Sequence, residues 1–171
     1  DLMNRFFGFF AMGVIALTSC SKADTTAEQP WIVDRFDDIK VIRYEVPGFE
    51  NLTLEEKELV YYLSEAAKCG RDIIYDQNFK YNIAIRRTLE TIYTASEQRE
   101  GDEFAAFEKY LKKVWFANGI HHHYSNDKFK PEFTEGWFRE QLSKYINEEN
   151  RQLEDDLLCK IIFDETLYAS R

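Results

Sequence analysis

The chain has 171 residues, a net charge of −9 from 22 Lys and Arg against 31 Asp and Glu, and aromatic side chains at 16% of its positions. This acidic balance excludes a general nucleic-acid binder, which needs a basic footprint, while 44% apolar residues with only 7 Gly and 3 Pro are enough to close one core of ordinary size. The three cysteines, Cys20, Cys69 and Cys159, are odd in number and far apart, which excludes a paired disulfide framework and a C-x-x-C metal spacing.

In chain order, residues 6–17 (FFGFFAMGVIAL) come first, apolar throughout and directly after Arg5. That is the pattern of an export signal, with Met3 as the natural start of translation, and the run is too short for a spanning helix, which needs roughly 20 residues. Leu17-Thr18-Ser19-Cys20 follows and resembles the lipobox of bacterial lipoprotein precursors, in which the cysteine thiol is acylated. Residues 1–19 are therefore expected to be a lipoprotein signal peptide, Cys20 the lipidated residue, and residues 20–30 a polar tether. The expected location is the bacterial cell envelope, periplasmic or at the cell surface, with the membrane as a partner through the lipid anchor. The competing reading makes residues 6–17 a buried helix and Cys20 an inert thiol.

From Pro30 to Phe49 the chain has extended character, with Ile42, Tyr44 and Val46 alternating with polar neighbours and Pro47-Gly48 ending the run. Thr53 with Glu56 is a capping-box signature, and Leu59, Tyr62, Leu63, Ala66 and Ala67 recur on one face, which predicts a helix over 54–68 with a break near Gly70. A second helix is expected over 78–96, carrying Ile85, Leu89, Ile92 and Tyr93 inward, before a charged linker over 97–101. Asp102 is placed to cap a third, whose stripe is Phe104, Phe107, Leu111, Val114 and Trp115 and whose stop is Asn118-Gly119. Residues 120–130 read as a polar, aromatic loop closed by Pro131. A fourth helix is expected from Thr134, with Trp137, Phe138, Leu142 and Tyr145 inward, and a further helical piece over 148–159. Ile161, Ile162, Phe163, Leu167 and Tyr168 run on to Arg171, which predicts apolar groups left without partners and a truncated unit. No repeat is visible at solenoid periods.

All three histidines fall together, at His121, His122 and His123. Adjacent residues point about 100° apart on a helix and to opposite faces on a strand, so one ion would take two of them at most. Direct metal ligation in this chain is therefore not expected. Two readings stay open: the histidines with Tyr124 line a substrate cleft, or they cap the preceding helix and favour its dipole. Cys69 and Cys159 lie in apolar-periodic segments and read as buried, inert thiols. Glu148, Glu149, Glu154, Asp155 and Asp156 read as a solvated face.

Residues 52–70 (LTLEEKELVYYLSEAAKCG), followed by residues 114–133 (VWFANGIHHHYSNDKFKPEF), resemble the N-terminal region of dipeptidyl peptidase III. The matching features are Tyr62-Leu63-Ser64, Ala66-Ala67, Gly70, Asn118-Gly119, and the D-x-K-F-x-P-like tail around Asp127, Lys128, Phe129 and Pro131. The resemblance covers residues 52–133, and the histidine-rich loop is that of the bacterial branch. It implies a zinc-dependent exopeptidase that releases dipeptides from the free N-terminus of an oligopeptide substrate, built as two lobes around a wide cleft. The family's zinc motif, a helical His-Glu with a second His, is absent here, so the zinc of a full-length parent would be held by the rest of the parent polypeptide. The implied fold is mainly α with a short extended or β lead-in, residues 31–171 being the N-terminal part of the mixed α+β lobe. Asn118, Gly119, His121, His122, His123 and Tyr124 match cleft-lining, substrate-binding positions; no catalytic residue carries over, and the chain alone is expected to be inactive. The alternative is a small, lipid-anchored helical envelope lipoprotein that binds a peptide or glycan.

Overall fold

A computed structural model describes residues 31–171; the expected signal peptide, lipidated Cys20 and tether lie outside the described residues. Strands β1 (Ile32–Phe36) and β2 (Ile39–Ile42) pair antiparallel, with Ile32 opposite Ile42 and Phe36 opposite Ile39. The two-residue turn Asp37-Asp38 needs a positive φ, which Asp37 supplies at 52°. The extended segment is therefore earlier than the alternation of Ile42, Tyr44 and Val46 suggested. Tyr44 and Val46 follow β2 and are exposed, because no strand faces them there.

Six α-helices follow: α1 (Leu54–Cys69), α2 (Arg71–Asn78), α3 (Asn82–Ala95), α4 (Asp102–Ala117), α5 (Glu135–Tyr145) and α6 (Asp155–Phe163). The fold is mainly helical with a small two-stranded sheet. The Thr53 capping box forms as expected: the Glu56 amide donates to Thr53 Oγ1 at 3.3 Å, and the Thr53 amide donates to Glu56 Oε2 at 2.8 Å. The stripe on α1 does not find a core. Leu59, Tyr62 and Leu63 are exposed, and no α1 residue is buried.

The helix expected over 78–96 forms as α3, starting four residues later, while α2 before it was not expected. Phe79 is extended (φ −168°, ψ 132°), and its ring turns away to meet Tyr81, His121 and Tyr168 at centroid distances of 5.4, 5.3 and 5.0 Å. Aromatic packing there separates α3 from α2. Asp102 is not the cap of α4; Gly101, at φ 92°, holds that position without a side-chain bond, and Asp102 lies in the first turn, where its charge favours the helix dipole. Trp115 is not inward either. It is 37% exposed, and its indole N–H donates to Glu90 Oε1 at 2.8 Å.

Thr134 caps α5 by accepting from the Trp137 amide at 3.3 Å, and its own amide and hydroxyl donate to the Glu103 carboxylate at 2.8 and 2.9 Å. The helical piece expected over 148–159 begins only at Asp155. Asn147 and Asn150 side chains bond backbone amides across residues 147–150 and offer the chain a turn in place of a helix. The acids Glu148, Glu149, Glu154 and Asp156 are exposed there.

Buried Phe104, Phe107, Leu111, Val114, Phe133, Phe138 and Leu142 form the centre of the core, joined by Ile85, Leu89 and Ile92 of α3. Contrary to the expectation of unpartnered apolar groups near the C-terminus, Ile161 and Ile162 are fully buried. Phe163 meets Phe133 and Phe138 at 5.6 and 5.9 Å, and Leu167 and Tyr168 pack against the same core, because the segment after α6 folds back over it. Cys159 is buried, and burial pushes its thiol up to about 11. Cys69 is exposed rather than buried, since it shares the uncovered helix α1.

Candidate functional site

The end of α4 sets the site. Asn118 takes the left-handed conformation (φ 54°) and Gly119 follows at φ 147°, so the chain leaves the helix abruptly. Asn82, at the start of α3, receives it: the Ile120 amide donates to Asn82 Oδ1 at 3.1 Å, and Asn82 Nδ2 donates to the Tyr75 carbonyl at 3.1 Å. Asn78 Nδ2 donates to the Asn118 carbonyl at 3.1 Å. Carboxamides, not the histidines, thus cap this helix. A Cβ at residue 119 would lie 2.1 Å from Asn82 Nδ2, so only glycine fits.

Residues 120–129 then form a short antiparallel arm. The Phe129 amide donates to the Ile120 carbonyl and the His122 amide to the Asp127 carbonyl, both at 2.8 Å, with His121 paired to Lys128. On the other side of the return strand lies the chain end: the Lys128 amide donates to Ala169 O at 2.9 Å and the Arg171 amide to Asn126 O at 3.1 Å.

The histidines divide by role. His121 is only 2% exposed, and its Nε2 lies 2.9 Å from the Tyr168 carbonyl. A carbonyl only accepts, so this partner assigns the ring proton to Nε2 and leaves Nδ1 bare, buried and without a partner. His122 Nδ1 accepts from the amides of Tyr124 and Ser125, both at 3.2 Å, and so fixes the tip of the arm. His123 sits between Phe116, edge-on at 5.0 Å, and Tyr124, tilted at 4.2 Å. Tyr124 itself is 84% exposed. The arm therefore brings His122, His123 and Tyr124 together at its tip, while Asn118, Gly119 and His121 belong to its mount.

His121 and His122 each hold the backbone through one ring nitrogen, Nε2 and Nδ1 respectively, and His123 Nδ1 is buried without a partner.

No protein-family model matches the chain, and no curated protein matches it.

Beside the tip, Trp115 and Phe116 on α4 are exposed, and Phe36 of β1 meets Phe116 edge-on at 6.5 Å. Ion pairs from Lys112 to Asp34 (2.9 Å) and from Lys113 to Asp37 hold the hairpin against α4. Asn82 and Tyr168 are the residues that sequence reasoning missed. Asn82 carries one signal, a polar residue three positions before Ile85 on the inward stripe; Tyr168 carries none, because its partner is His121, 47 positions away. Among the described residues no helix is long and apolar enough to cross a membrane.

Burial, reinforced by the charges of Arg171 and Lys128, holds the His121 imidazole below its ordinary range, against the opposing pull of the Tyr168 carbonyl. The unfolded ring titrates near about 6.5, so on acidification the unfolded state takes the proton first. Stability is then complete above that pH and declines as pH falls toward the lower folded value. Urea midpoints between pH 7.5 and 5 are expected to fall more steeply for wild type than for His121→Gln, which retains a donor for Tyr168. Parallel curves would contradict this.

Proposed function

We propose that the chain is the N-terminal portion of a zinc-dependent dipeptidyl peptidase of the dipeptidyl peptidase III type, and that it supplies a wall of the peptide cleft. The observation that carries this reading is the tip of the arm: an exposed tyrosine backed by two imidazoles, on a mount fixed by buried hydrogen bonds. Such a tip offers an aromatic face to substrate side chains and donors to an extended peptide backbone, from a position that does not itself have to order on binding. The uncovered apolar stripe of α1 supports the reading, because Leu59, Tyr62 and Leu63 suit a surface meant for further polypeptide. In this account zinc and the proton-transferring groups belong to that further polypeptide, the oligopeptide is the substrate, and a lipid on Cys20 tethers the protein in the bacterial envelope.

In the full-length form, Tyr124→Ala and His122→Ala are expected to raise KM for oligopeptides by about tenfold, with kcat less affected and zinc content unchanged. Loss of zinc in either variant, or an unchanged KM, contradicts the assignment. The second reading is a lipid-anchored helical envelope protein that binds a peptide or glycan. It is favoured by the closed packing of α3–α6 with the segment after α6, and it predicts binding without hydrolysis.

A further inference from the structure

The tail Asp127-Lys128-Phe129-Lys130-Pro131 has no part in the function proposed above, yet its lysine has unusual surroundings. Lys128 Nζ donates to the backbone carbonyls of Ile161 (2.9 Å), Asp164 and Leu167 (2.7 Å). All three ammonium protons are thereby used. Among the described residues no carboxylate lies within ion-pair distance of it. An ordinary surface lysine keeps its ammonium in water and its side chain mobile; this one gives up both.

A cap for α6 alone would stop at the orphan carbonyls of its last turn. This cage also takes Leu167, beyond the helix. The backbone of the same lysine donates to Ala169 and pairs with His121. His121 in turn donates to Tyr168, and the Arg171 guanidinium donates to Asn126 Oδ1 at 2.9 Å. Asp164 shapes the turn into this segment by accepting from the Thr166 and Leu167 amides at 2.9 and 3.2 Å. One side chain thus joins the end of α6, the segment 164–171 and the arm.

We propose that Lys128 is a positioning residue: it clamps the segment 164–171 against the return strand of the arm and thereby fixes the His122–Tyr124 tip. The consequence for peptide capture rests on the function proposed above; the ordering of the tip does not.

Amide hydrogen exchange and proton NMR on the whole chain, wild type against Lys128→Met, test the proposal. Methionine keeps the length and removes the donors. Exchange at the His122, Asn126 and Arg171 amides is expected to accelerate about tenfold or more, while Leu89 and Leu111 keep their protection. The ring-proton shifts of His123, whose ring lies 4.2 Å from that of Tyr124, are expected to move toward those of free histidine. Unchanged tip exchange and ring shifts overturn the proposal, and so does a loss of protection spread equally through α3 and α4. If Lys128→Met does not fold, wild-type exchange in low urea decides: the amides of His122, Lys128, Phe129 and Arg171 must open as one unit, and separate opening overturns the clamp. In a full-length form, a disordered tip with unchanged KM would remove the proposed function and leave the clamp standing.

Discussion

Gly119→Ala is expected to destabilise the protein by about 3–5 kcal/mol, a sum of overpacking and backbone strain. The new methyl carbon would lie 2.1 Å from Asn82 Nδ2, 2.6 Å from Cγ and 2.8 Å from Oδ1, on a backbone with φ 147°. Asn82 is fully buried and holds the Ile120 amide and the Tyr75 carbonyl, so it has nowhere to move without leaving both unpaired. A double-mutant cycle separates the two causes. Asn82→Ala alone should cost about 2–3 kcal/mol from the orphaned groups, and adding Gly119→Ala to it should then cost only about 1–2 kcal/mol, the strain of an L-residue at that φ. Urea unfolding of the four proteins measures the coupling; strictly additive costs would show that the carboxamide is not what excludes the methyl group.

Phe107→Ala is expected to cost about 3–5 kcal/mol, as for other fully buried aromatic truncations. Its ring stands 5.8 Å from Phe104, 5.7 Å from Phe133, 5.5 Å from Trp137 and 6.4 Å from Phe138, so it joins α4 to α5 and to the loop before α5. An apolar cavity of this kind stays dry and takes small apolar guests; benzene is therefore expected to raise the thermal midpoint of the variant and leave wild type unchanged. A loss below about 1 kcal/mol would mean that the neighbouring rings collapse into the space, contrary to a rigid core.

The two effects are linked through the site. Phe107 lies on the same face of α4 as Leu111 and Val114, and the helix they hold delivers Asn118 and Gly119 to Asn82. The exposed tip at Tyr124 is thus placed by buried groups.

The periodic apolar stripe of α4, the Thr53 box and the Thr134 cap were readable from the sequence because each depends on residues within one or two helical turns. Helix α2 and its separation from α3 at Phe79 were not, since the Phe79 ring meets His121 and Tyr168, far along the chain. The α1 stripe shows the converse: periodicity reports that a face can be buried, not that anything covers it. Within the site, the clustering of His122, His123 and Tyr124 followed from adjacency. The distinction between tip and mount did not. His121 differs from its neighbours only through Tyr168, and Gly119 looks like an ordinary helix stop until Asn82 is placed beneath it.

The most direct measurement for the proposed function is the coding sequence downstream of the Arg171 codon. The account predicts a long continuation that encodes a helical His-Glu zinc motif with a second histidine and a later glutamate. A stop codon directly after Arg171, in a natural transcript, would contradict it and leave the peptide- or glycan-binding reading in its place.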